Sequence, residues 1–452
     1  MSVNNHITEW FDTEFGVRQG DSLSPSLFGI YVNDLVHDLK NAMGGISIGT
    51  AKLQCLLYSD DIVLFGESSP DLQGLIDILS GWCHKWRMKV NINKSKVMHF
   101  RSLTTPQTNY RFLYRNENLE TVNRYKYLGL VLNDHLDFNI TAGVLADSAG
   151  RALGAIYSKF KYAQGLGFQT YSTIIHSGVT PITDYCSGVW GFKKIEKIST
   201  IQHRAIRLYL GVHRFAPNPA INGDMGWVNS HIRRKINMLR LWNRLMYMQD
   251  NRLTKQVFRF DQMLHRHNWY SEVEKLFNEL NMMHIFINEQ PVNLNVAKET
   301  LILISNTDWE QAIRSMPKLR TYCDIKATYN TEPYVKILLN RSHRSTIAQF
   351  RTGILPLRVE TGRYQHIPPE DRLCLLCDLN VVEDEYHMLY SCKCYDRLRR
   401  DLFEKVKLQI LNFEILLNKE KTCILMQENF IKYTAEFIFE AMRIRRNVLY
   451  KN

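Results

Sequence analysis

The sequence has no long apolar run: nothing in it approaches the roughly 20 consecutive apolar residues that a membrane-spanning helix needs. Its start, Met1-Ser-Val-Asn-Asn-His6, lacks the apolar core of a secretory signal, and no internal repeat or low-complexity tract is present. These absences predict an intracellular, soluble protein of the nucleus or cytoplasm, without a membrane partner. The nine cysteines are then expected to be reduced thiols or metal ligands, because disulfides are rare in those compartments.

Length and composition indicate a folded, multidomain protein. At roughly 150 residues per domain, 452 residues correspond to about three domains. A hydrophobic content of 45% argues against disorder. The 57 basic residues outnumber the 45 acidic ones, which gives a net charge of +12. A positive balance suits a nucleic-acid phosphate backbone, although many basic proteins bind nothing acidic.

Two adjacent carboxylates, Asp60 and Asp61, lie between short apolar runs at 53–58 and 62–65. Apolar runs of this length are typical of strands, so the pattern predicts a hairpin that carries both carboxylates at its turn. Carboxylate oxygens are ligands that Mg²⁺ prefers, which makes the turn a candidate metal site for phosphoryl transfer. The alternative is an ordinary solvated loop, because Asp is common in turns.

Further elements flank this predicted hairpin. Upstream, a glycine-containing loop leads into a helix with Ser24 as its predicted cap and Pro25 at its first position. Downstream, Ser69 and Pro70 begin a second amphipathic helix. The apolar pattern then becomes alternating at 88–92, which predicts a strand, followed by a basic turn at 93–96 and another strand.

Four motifs follow one another along the first part of the chain: the loop and helix around Gly20, Tyr58-Ser-Asp-Asp61, Asn91-Ile-Asn-Lys-Ser95 and Tyr125-Lys-Tyr-Leu-Gly129. In this order they resemble the reverse transcriptases of non-LTR (LINE-type) retrotransposons, in which Ala is usual at the position of Ser59. The resemblance extends over most of the chain and is strongest at 15–129 and 350–392.

The resemblance implies roles for particular residues. Asp60 and Asp61 would hold the catalytic Mg²⁺. The other residues would contact nucleic acid or the incoming nucleotide: Gln19 and Gly20 at the templating base pair, Lys94 at the triphosphate, and Tyr127, Leu128 and Gly129 at the primer end. The implied partners are an RNA template, a DNA primer and, in an active enzyme, dNTPs.

The site implied by the resemblance lacks one component. Nucleotidyl transfer uses two divalent ions about 4 Å apart. Adjacent carboxylates in extended chain face opposite sides, so a further aspartate is needed. In the family it precedes the glycine-rich loop, where this chain has only Asp12, in a stretch that matches a different segment. We therefore expect the fingers and the first half of the palm to be absent and the chain alone to be inactive. The alternative is a non-catalytic nucleic-acid-binding remnant of a retroelement.

After residue 140 the pattern becomes mainly helical. The segment 195–210 predicts an amphipathic helix that ends at Gly211. Its polar side carries three cations: Lys197, Arg204 and Arg207. They predict a stripe along the nucleic-acid backbone, and an ordinary solvated basic face is the alternative. A second basic helix around Arg233, Arg234, Arg240 and Arg244 adds slightly to the electrostatic argument.

The C-terminal part contains a Cys/His pattern: Cys374-x2-Cys377-x9-His387-x4-Cys392. Four such ligands complete a tetrahedral Zn²⁺ shell with no open position, which predicts a structural site. On a continuous helix His387 and Cys392 would lie about 140° apart. The chain must therefore bend between them, and the next helix is expected to begin near Asp396. Cys394 is a competing ligand, and a chance cluster is the alternative to a metal site.

The predicted fold class is α+β. The expected order is a partial reverse-transcriptase palm of antiparallel sheet and helices at 1–140, a helical thumb and connector at 141–290, a helical linker region at 291–365, and a small zinc-stapled CCHC module with C-terminal helices at 366–452. An exposed sheet edge in a partial palm predicts self-association.

Overall fold

The protein forms two compact units in a computed structural model that describes residues 2–3, 6–7, 16–17, 20–49, 51–162, 166–264 and 266–450. Unit 1 comprises Met1–Asp137 and Gln249–Leu264, and unit 2 comprises Phe138–Met248 and His265–Asn452. The described residues contain both helices and small sheets, which confirms the mixed architecture that the sequence predicts. The finer domain boundaries at 140, 290 and 365 stay predictions.

Unit 1 consists of short strands and a few helices. Its strands are β1 Ser2–Val3, β2 His6–Ile7, β3 Ile46–Ile48, β4 Ala51–Leu53, β5 Cys55–Tyr58, β6 Asp61–Leu64, β7 Lys96–Val97, β8 Phe112–Tyr114, β9 Glu117–Thr121, β10 Arg124–Tyr127 and β11 Leu130–Asn133. Its helices are α1 Ser24–Tyr31, α2 Asn33–Lys40, α3 Ser69–Lys85 and α11 Leu253–Leu264. Among the described residues, antiparallel hairpins form between β1 and β2, β3 and β4, β5 and β6, β8 and β9, and β10 and β11, and β9 also pairs with parallel β7.

The core of unit 1 lies where α2 and α3 meet the inner faces of the strands. Leu35 and Leu39 of α2 and Leu75 and Leu79 of α3 are buried there, at the spacing that puts them on one side of each helix. The helix α3 begins at Ser69 behind the cap Ser68, whose hydroxyl accepts the backbone N–H of residue 71 (3.3 Å). This packing supports the β5–β6 hairpin from one side.

Two local predictions were wrong. Residues 88–92 form no strand, although their apolar side chains pack against the unit 1 core. Their backbone groups are used locally instead, because the carbonyl of Asn91 accepts the N–H groups of Lys94 and Ser95 in a turn. Ser24 occupies the first position of α1 and does not cap it; the residue before the helix is Leu23, which makes no side-chain capping bond.

The regular elements of unit 2 are almost all helices, with one β-bridge between Leu373 and Val382 among its described residues. Its helices are α4 Phe138–Tyr162, α5 Phe168–Gly178, α6 Thr180–Thr183, α7 Ser187–Trp190, α8 Glu196–Leu210, α9 Asn218–Met225, α10 Ser230–Met246, α12 Trp269–Glu279, α13 Met283–Ile287, α14 Leu294–Arg314, α15 Arg320–Ile325, α16 Pro333–Lys336, α17 Arg341–Arg351, α18 Arg358–Tyr364, α19 Asp396–Lys407, α20 Asn418–Leu425 and α21 Ile431–Tyr450. Short 3₁₀ turns lie at Pro317–Leu319, Pro369–Asp371, Lys393–Tyr395 and Phe413–Ile415.

A buried charge network joins distant segments of unit 2. Arg351 of α17 donates to both carboxylate oxygens of Asp224 in α9, at 2.9 Å each. The same guanidinium lies 3.0 Å from Glu332, which also pairs with Lys326, and the hydroxyl of Tyr334 donates to Asp224 (2.7 Å). Two cations thus meet two carboxylates, so each charge of this network has a partner of opposite sign. The network joins α9, α16 and α17 to the loop that carries Lys326 and Glu332.

Candidate functional site

The acidic pair lies at a hairpin turn, as the flanking apolar runs predict. Strands β5 and β6 pair in antiparallel register, with Tyr58 opposite Asp61, so Ser59 and Asp60 form the two-residue loop. Ser59 has a φ of 52°. Two-residue hairpin loops need positive φ, because only such turns match the twist of the strands. The turn therefore places the two carboxylates at the very end of the hairpin.

The two faces of this hairpin differ. Leu57 and Ile62 stand opposite one another on the inner face and pack against the core that α2 and α3 form. Tyr58 and Asp61 stand on the outer face, and both are exposed, as is Asp60. The carboxylates are thus held on a supported hairpin yet open to solvent, where a hard cation can bind them. Among the described residues no third His, Cys, Asp or Glu joins them in a metal-sized group.

A second hairpin, β10–β11, comes close to the acidic turn. Tyr127 pairs with Leu130, and the loop residues Leu128 and Gly129 have φ values of 46° and 85°. Positive φ at both loop residues is typical of a type I′ turn. Burial raises the pKa of Tyr127, and the negative charge of Asp61 raises it further. The tyrosine is therefore within electrostatic reach of the acidic turn.

Lys94 lies at the tip of a tight turn with its side chain exposed. The side chain of Asn91 accepts the N–H of Lys94 (3.3 Å), and the Asn91 carbonyl accepts the hydroxyl of Ser95 (3.0 Å). The hydroxyl of Tyr125, in β10, donates to the carbonyl of Lys94 (2.9 Å). This bond was not foreseen from the sequence, because nothing in the spacing of the two motifs shows that they touch.

The glycine-rich loop is described only in part. Gly20 is exposed and has a φ of 87°, a conformation that favours glycine. Gln19 and Asp12 lie outside the described residues. The predicted contact of Gln19 and Gly20 with a templating base pair stays a prediction.

In unit 2 the four predicted zinc ligands come together. The ligand atoms of Cys374, Cys377, His387 and Cys392 all lie within 4.8 Å of one another. Sγ of Cys374 is 3.9 Å from Sγ of Cys392, and Sγ of Cys377 is 3.4 Å from Nε2 of His387. Cys394 is not part of this group.

A single π-helical turn brings the side chains of His387 and Cys392 to the same side, although on an α-helix they would lie about 140° apart. Residues His387–Ser391 form this turn, and the N–H of Cys392 donates to the carbonyl of His387 (2.8 Å). Because the bond spans five residues, both side chains face the same side, which an α-helix would prevent. Arg399 of α19 holds the turn by donating to the carbonyls of Leu389 (2.8 Å) and Cys392 (2.6 Å). The predicted bend and the helix start at Asp396 are both present.

A short hairpin carries the first two ligands. Leu373 and Val382 form a β-bridge, and the N–H of Cys374 donates to the carbonyl of Val381 (2.9 Å). Glu383 follows directly and receives two bonds from Arg445 of α21, at 2.7 and 2.8 Å. The hairpin is therefore clamped to the C-terminal helix by a buried ion pair.

The chemistry of this group suits a soft or borderline divalent metal. Three sulfur atoms and one imidazole nitrogen are a frequent Zn²⁺ ligand set. The hydrogen bond between the sulfur atoms of Cys374 and Cys392 lowers the pKa of Cys374, which favours the thiolate that a metal needs. Nδ1 of His387 is buried without a partner among the described residues, so Nε2 is the nitrogen that faces the ligand group.

The three cations of α8 differ in their surroundings. Lys197 and Arg204 are exposed, and their charged groups lie over two glycines of α4. A Cβ atom added to Gly143 would be 3.5 Å from Nζ of Lys197, and one added to Gly150 would be 3.4 Å from the guanidinium of Arg204. Arg207 is half-buried and donates to Ala216 (2.9 Å) and Asn218 (2.5 Å), and burial lowers its pKa. Lys197 and Arg204 are thus free to meet an outside partner, whereas Arg207 also holds a loop.

The second predicted basic helix, α10, is less basic at its surface than its sequence indicates. Arg234 is fully buried with its guanidinium 5.7 Å from the ring centre of Trp190. No nitrogen of that guanidinium has a hydrogen-bond partner among the described residues. Burial lowers the pKa of Arg234 to about 10. Arg233 pairs with Asp184 (2.8 Å). The idea that Arg234 adds to a nucleic-acid surface was wrong.

Comparisons with known proteins concern mainly the first part of the chain. Residues 1–132 match the family model described as reverse transcriptase (RNA-dependent DNA polymerase). The Pol polyprotein of the type-2 retrotransposable element R2DM of Drosophila melanogaster is 29% identical over 132 residues, which is 27% of this chain and 12% of that protein. The RNA-directed DNA polymerase from mobile element jockey of Drosophila funebris is 28% identical over 131 residues, 28% of this chain and 14% of that protein.

A longer match is to the probable RNA-directed DNA polymerase from transposon BS of Drosophila melanogaster, which is 23% identical over 219 residues. This match covers 46% of this chain and 24% of that protein. The chain thus spans at most about a quarter of the length of these curated relatives. The matches support the relationship to non-LTR retrotransposon reverse transcriptases that the motifs predict. No helix in the described part of the chain has both the length and the apolar character to span a membrane.

Proposed function

We propose that this chain supplies the metal-binding turn of a retrotransposon-type RNA-directed DNA polymerase. The observation that carries the proposal is the exposed Asp60–Asp61 turn on a hairpin whose inner face packs against the unit 1 core, inside the segment that matches reverse transcriptases. A non-catalytic nucleic-acid-binding remnant would use the exposed cations Lys197 and Arg204 as well, but it gives the exposed Asp60–Asp61 pair no role.

In this proposal Asp60 and Asp61 hold Mg²⁺. In a two-ion site, one ion would lower the pKa of the attacking 3′ hydroxyl and the other would neutralise the leaving pyrophosphate. The exposed ammonium of Lys94 meets the triphosphate of the dNTP. The β10–β11 tip with Tyr127, Leu128 and Gly129 supports the primer end, and Gln19 and Gly20 lie at the template.

The carboxylates of the turn do not complete the site by themselves. Only Asp60 and Asp61 lie there among the described residues, and a two-ion mechanism needs a further carboxylate. That group must come from residues outside the described ones or from another polypeptide. The open edges of the β5–β6 hairpin offer a place for a further strand or for self-association. We therefore expect no primer extension from the chain alone.

Unit 2 contributes nucleic-acid and metal binding in the same proposal. Lys197 and Arg204 contact the phosphate backbone of the RNA template and DNA primer, and Arg207 supports them by holding the loop at Ala216. The Cys374, Cys377, His387 and Cys392 group holds a structural Zn²⁺. The protein would act in the nucleus or the cytoplasm.

Manganese binding tests the acidic turn directly. We expect Asp60→Asn and Asp61→Asn each to weaken Mn²⁺ binding by about tenfold, because one charged ligand is lost. Asp38→Asn, an exposed acid on α2, should leave the affinity unchanged. Electron paramagnetic resonance titration of free Mn²⁺ gives the affinity. Equal binding by all these proteins would refute the metal role, and robust extension by the chain alone would refute the need for another carboxylate.

A further inference from the structure

One tyrosine connects two parts of the proposed site. The hydroxyl of Tyr125 donates to the main-chain oxygen of Lys94 (2.9 Å), across 31 residues of sequence. The other hydrogen bonds that shape the Lys94 turn are local and run to Asn91 and Ile92. Those local bonds define the shape of the turn. The strand after the turn is held separately, by the pairing of β7 with β9 and the Lys96–Glu120 ion pair (2.7 Å). The Tyr125 bond ties the residue at the tip of the turn, Lys94, directly to β10.

The same strand also leads to the acidic turn. Tyr125 and Tyr127 are two residues apart in β10, so their side chains project from the same face, about 7 Å apart. Tyr125 reaches the Lys94 turn, and Tyr127 is close enough to Asp61 for its charge to raise the tyrosine pKa. The strand β10 therefore contacts the Lys94 turn through Tyr125, and through Tyr127 it lies within electrostatic reach of Asp61.

We propose that Tyr125 is a positioning residue that holds Lys94 at the correct distance from Asp60 and Asp61. This inference rests on the proposed function of the acidic turn. A triphosphate carries several charges along its length, so a metal at the carboxylates and an ammonium some distance away can bind it together only if their separation is fixed. Tyr125 fixes it through the backbone, which leaves the lysine side chain free for the phosphate.

Loss of the hydrogen bond from Tyr125 to Lys94 would loosen the Lys94 turn without unfolding unit 1. Tyr125 is 37% exposed, and Lys94 is exposed as well. Removing one hydroxyl from such a site leaves the apolar packing of the ring in place. Tyr125→Phe is therefore a clean variant, and Tyr110→Phe is its matched control, because Tyr110 is similarly exposed (41%) in unit 1.

Chemical protection of Lys94 tests the inference on the full chain. The protein is treated with an amine-acylating reagent, with and without Mn²⁺, a primer–template and a dNTP, and acylation is read by peptide mass spectrometry. Exposed Lys89 provides the internal reference. We expect the ligands to protect Lys94 in the unmodified protein and in Tyr110→Phe. In Tyr125→Phe the protection should fall about fivefold, as the loss of one hydrogen bond predicts. Its Mn²⁺ affinity and unfolding temperature should stay unchanged.

The outcomes separate the inference from the proposed function. Full protection of Lys94 in Tyr125→Phe would overturn the positioning role and leave the acidic turn untouched. Absence of protection in the unmodified protein, with Mn²⁺ affinity still dependent on Asp60, would overturn the role of Lys94 and the inference with it. Mn²⁺ affinity that does not depend on Asp60 would overturn the proposed function itself. Faster amide hydrogen exchange at 91–95 in Tyr125→Phe alone would be an independent sign of the loosened turn.

Discussion

At the scale of single residues, burial decides what a charged or titratable side chain can do. The sequence places both Lys197 and Arg207 on the polar side of the amphipathic helix α8. In the structure Lys197 is exposed, whereas Arg207 is half-buried and donates a hydrogen bond to Asn218. His203 on the same helix accepts the side-chain amide of Asn222 (3.1 Å). Burial, and then the charge of Arg207, lower its pKa to about 4.

The buried histidine makes stability depend on pH. An unfolded histidine has a pKa near 6.5. Between that value and about 4 the unfolded chain takes up a proton that folded His203 does not, so stability falls as the pH falls through this window. The contribution lost is at most about 3 kcal/mol. We expect His203→Gln, which can still accept from Asn222, to lose less stability between pH 7 and pH 4.5.

Urea unfolding midpoints at several pH values measure this effect. Exposed His267→Gln is the control and should keep the pH dependence of the unmodified protein. If His203→Gln loses as much stability on acidification as that control does, His203 is not held neutral by the fold.

At the scale of single elements, the π-helical turn brings the last two residues of the Cys374, Cys377, His387 and Cys392 group together. It brings His387 and Cys392 to one side, and Arg399 fixes it from α19. Cys394 is two residues further, in a 3₁₀ turn that directs it elsewhere. The two cysteines are equivalent in the sequence pattern and different in the fold.

Matched cysteine variants test this difference. We expect Cys392→Ser to hold less than about half an equivalent of zinc per chain and to unfold at a lower temperature, because a structural zinc site stabilises the folded state by several kcal/mol. Cys394→Ser should retain about one equivalent and the original unfolding temperature. Elemental analysis and thermal unfolding provide the two measurements. Zinc retained by Cys392→Ser and lost by Cys394→Ser would show that the ligand set is wrong.

At the scale of the whole molecule, the chain forms two units, and the exposure of its cations decides which of them can act on an outside partner. Residues 249–264 belong to unit 1 although the sequence on both sides of them belongs to unit 2. The net charge of +12 is a property of the complete chain, but only exposed cations can act on an outside phosphate. Lys197 and Arg204, one above the other on α8, are the cations whose positions argue most strongly for such a role.

Salt dependence tests these cations. We expect Lys197→Ala and Arg204→Ala each to weaken the binding of a primer–template duplex by the same factor whatever the sequence of the duplex. Each should also reduce the slope of log affinity against log salt by about 0.7 to 0.9, the value for one lost phosphate contact. Exposed Lys298→Ala on α14 is the control for net charge. Fluorescence anisotropy at several salt concentrations measures both quantities. A slope unchanged in both variants would remove these residues from the nucleic-acid surface.

Local sequence determined the features that depend on neighbours in the chain. The apolar runs around Asp60 and Asp61 produced a hairpin, Gly211 ended α8, and the helix after the cysteines began at Asp396, because turn chemistry, capping and periodicity act within a few residues. The segment 88–92 has the pattern of a strand and forms none, since a strand also needs a partner with free backbone groups.

Only the tertiary structure decided which distant groups meet. The Tyr125 hydroxyl reaches Lys94, Arg351 is paired with Asp224, Arg234 is buried, and Cys392 rather than Cys394 faces the other ligands. Each of these outcomes depends on how helices and hairpins far apart in the chain pack together. Spacing along the sequence does not encode that packing, because burial and contact are set by the whole core at once.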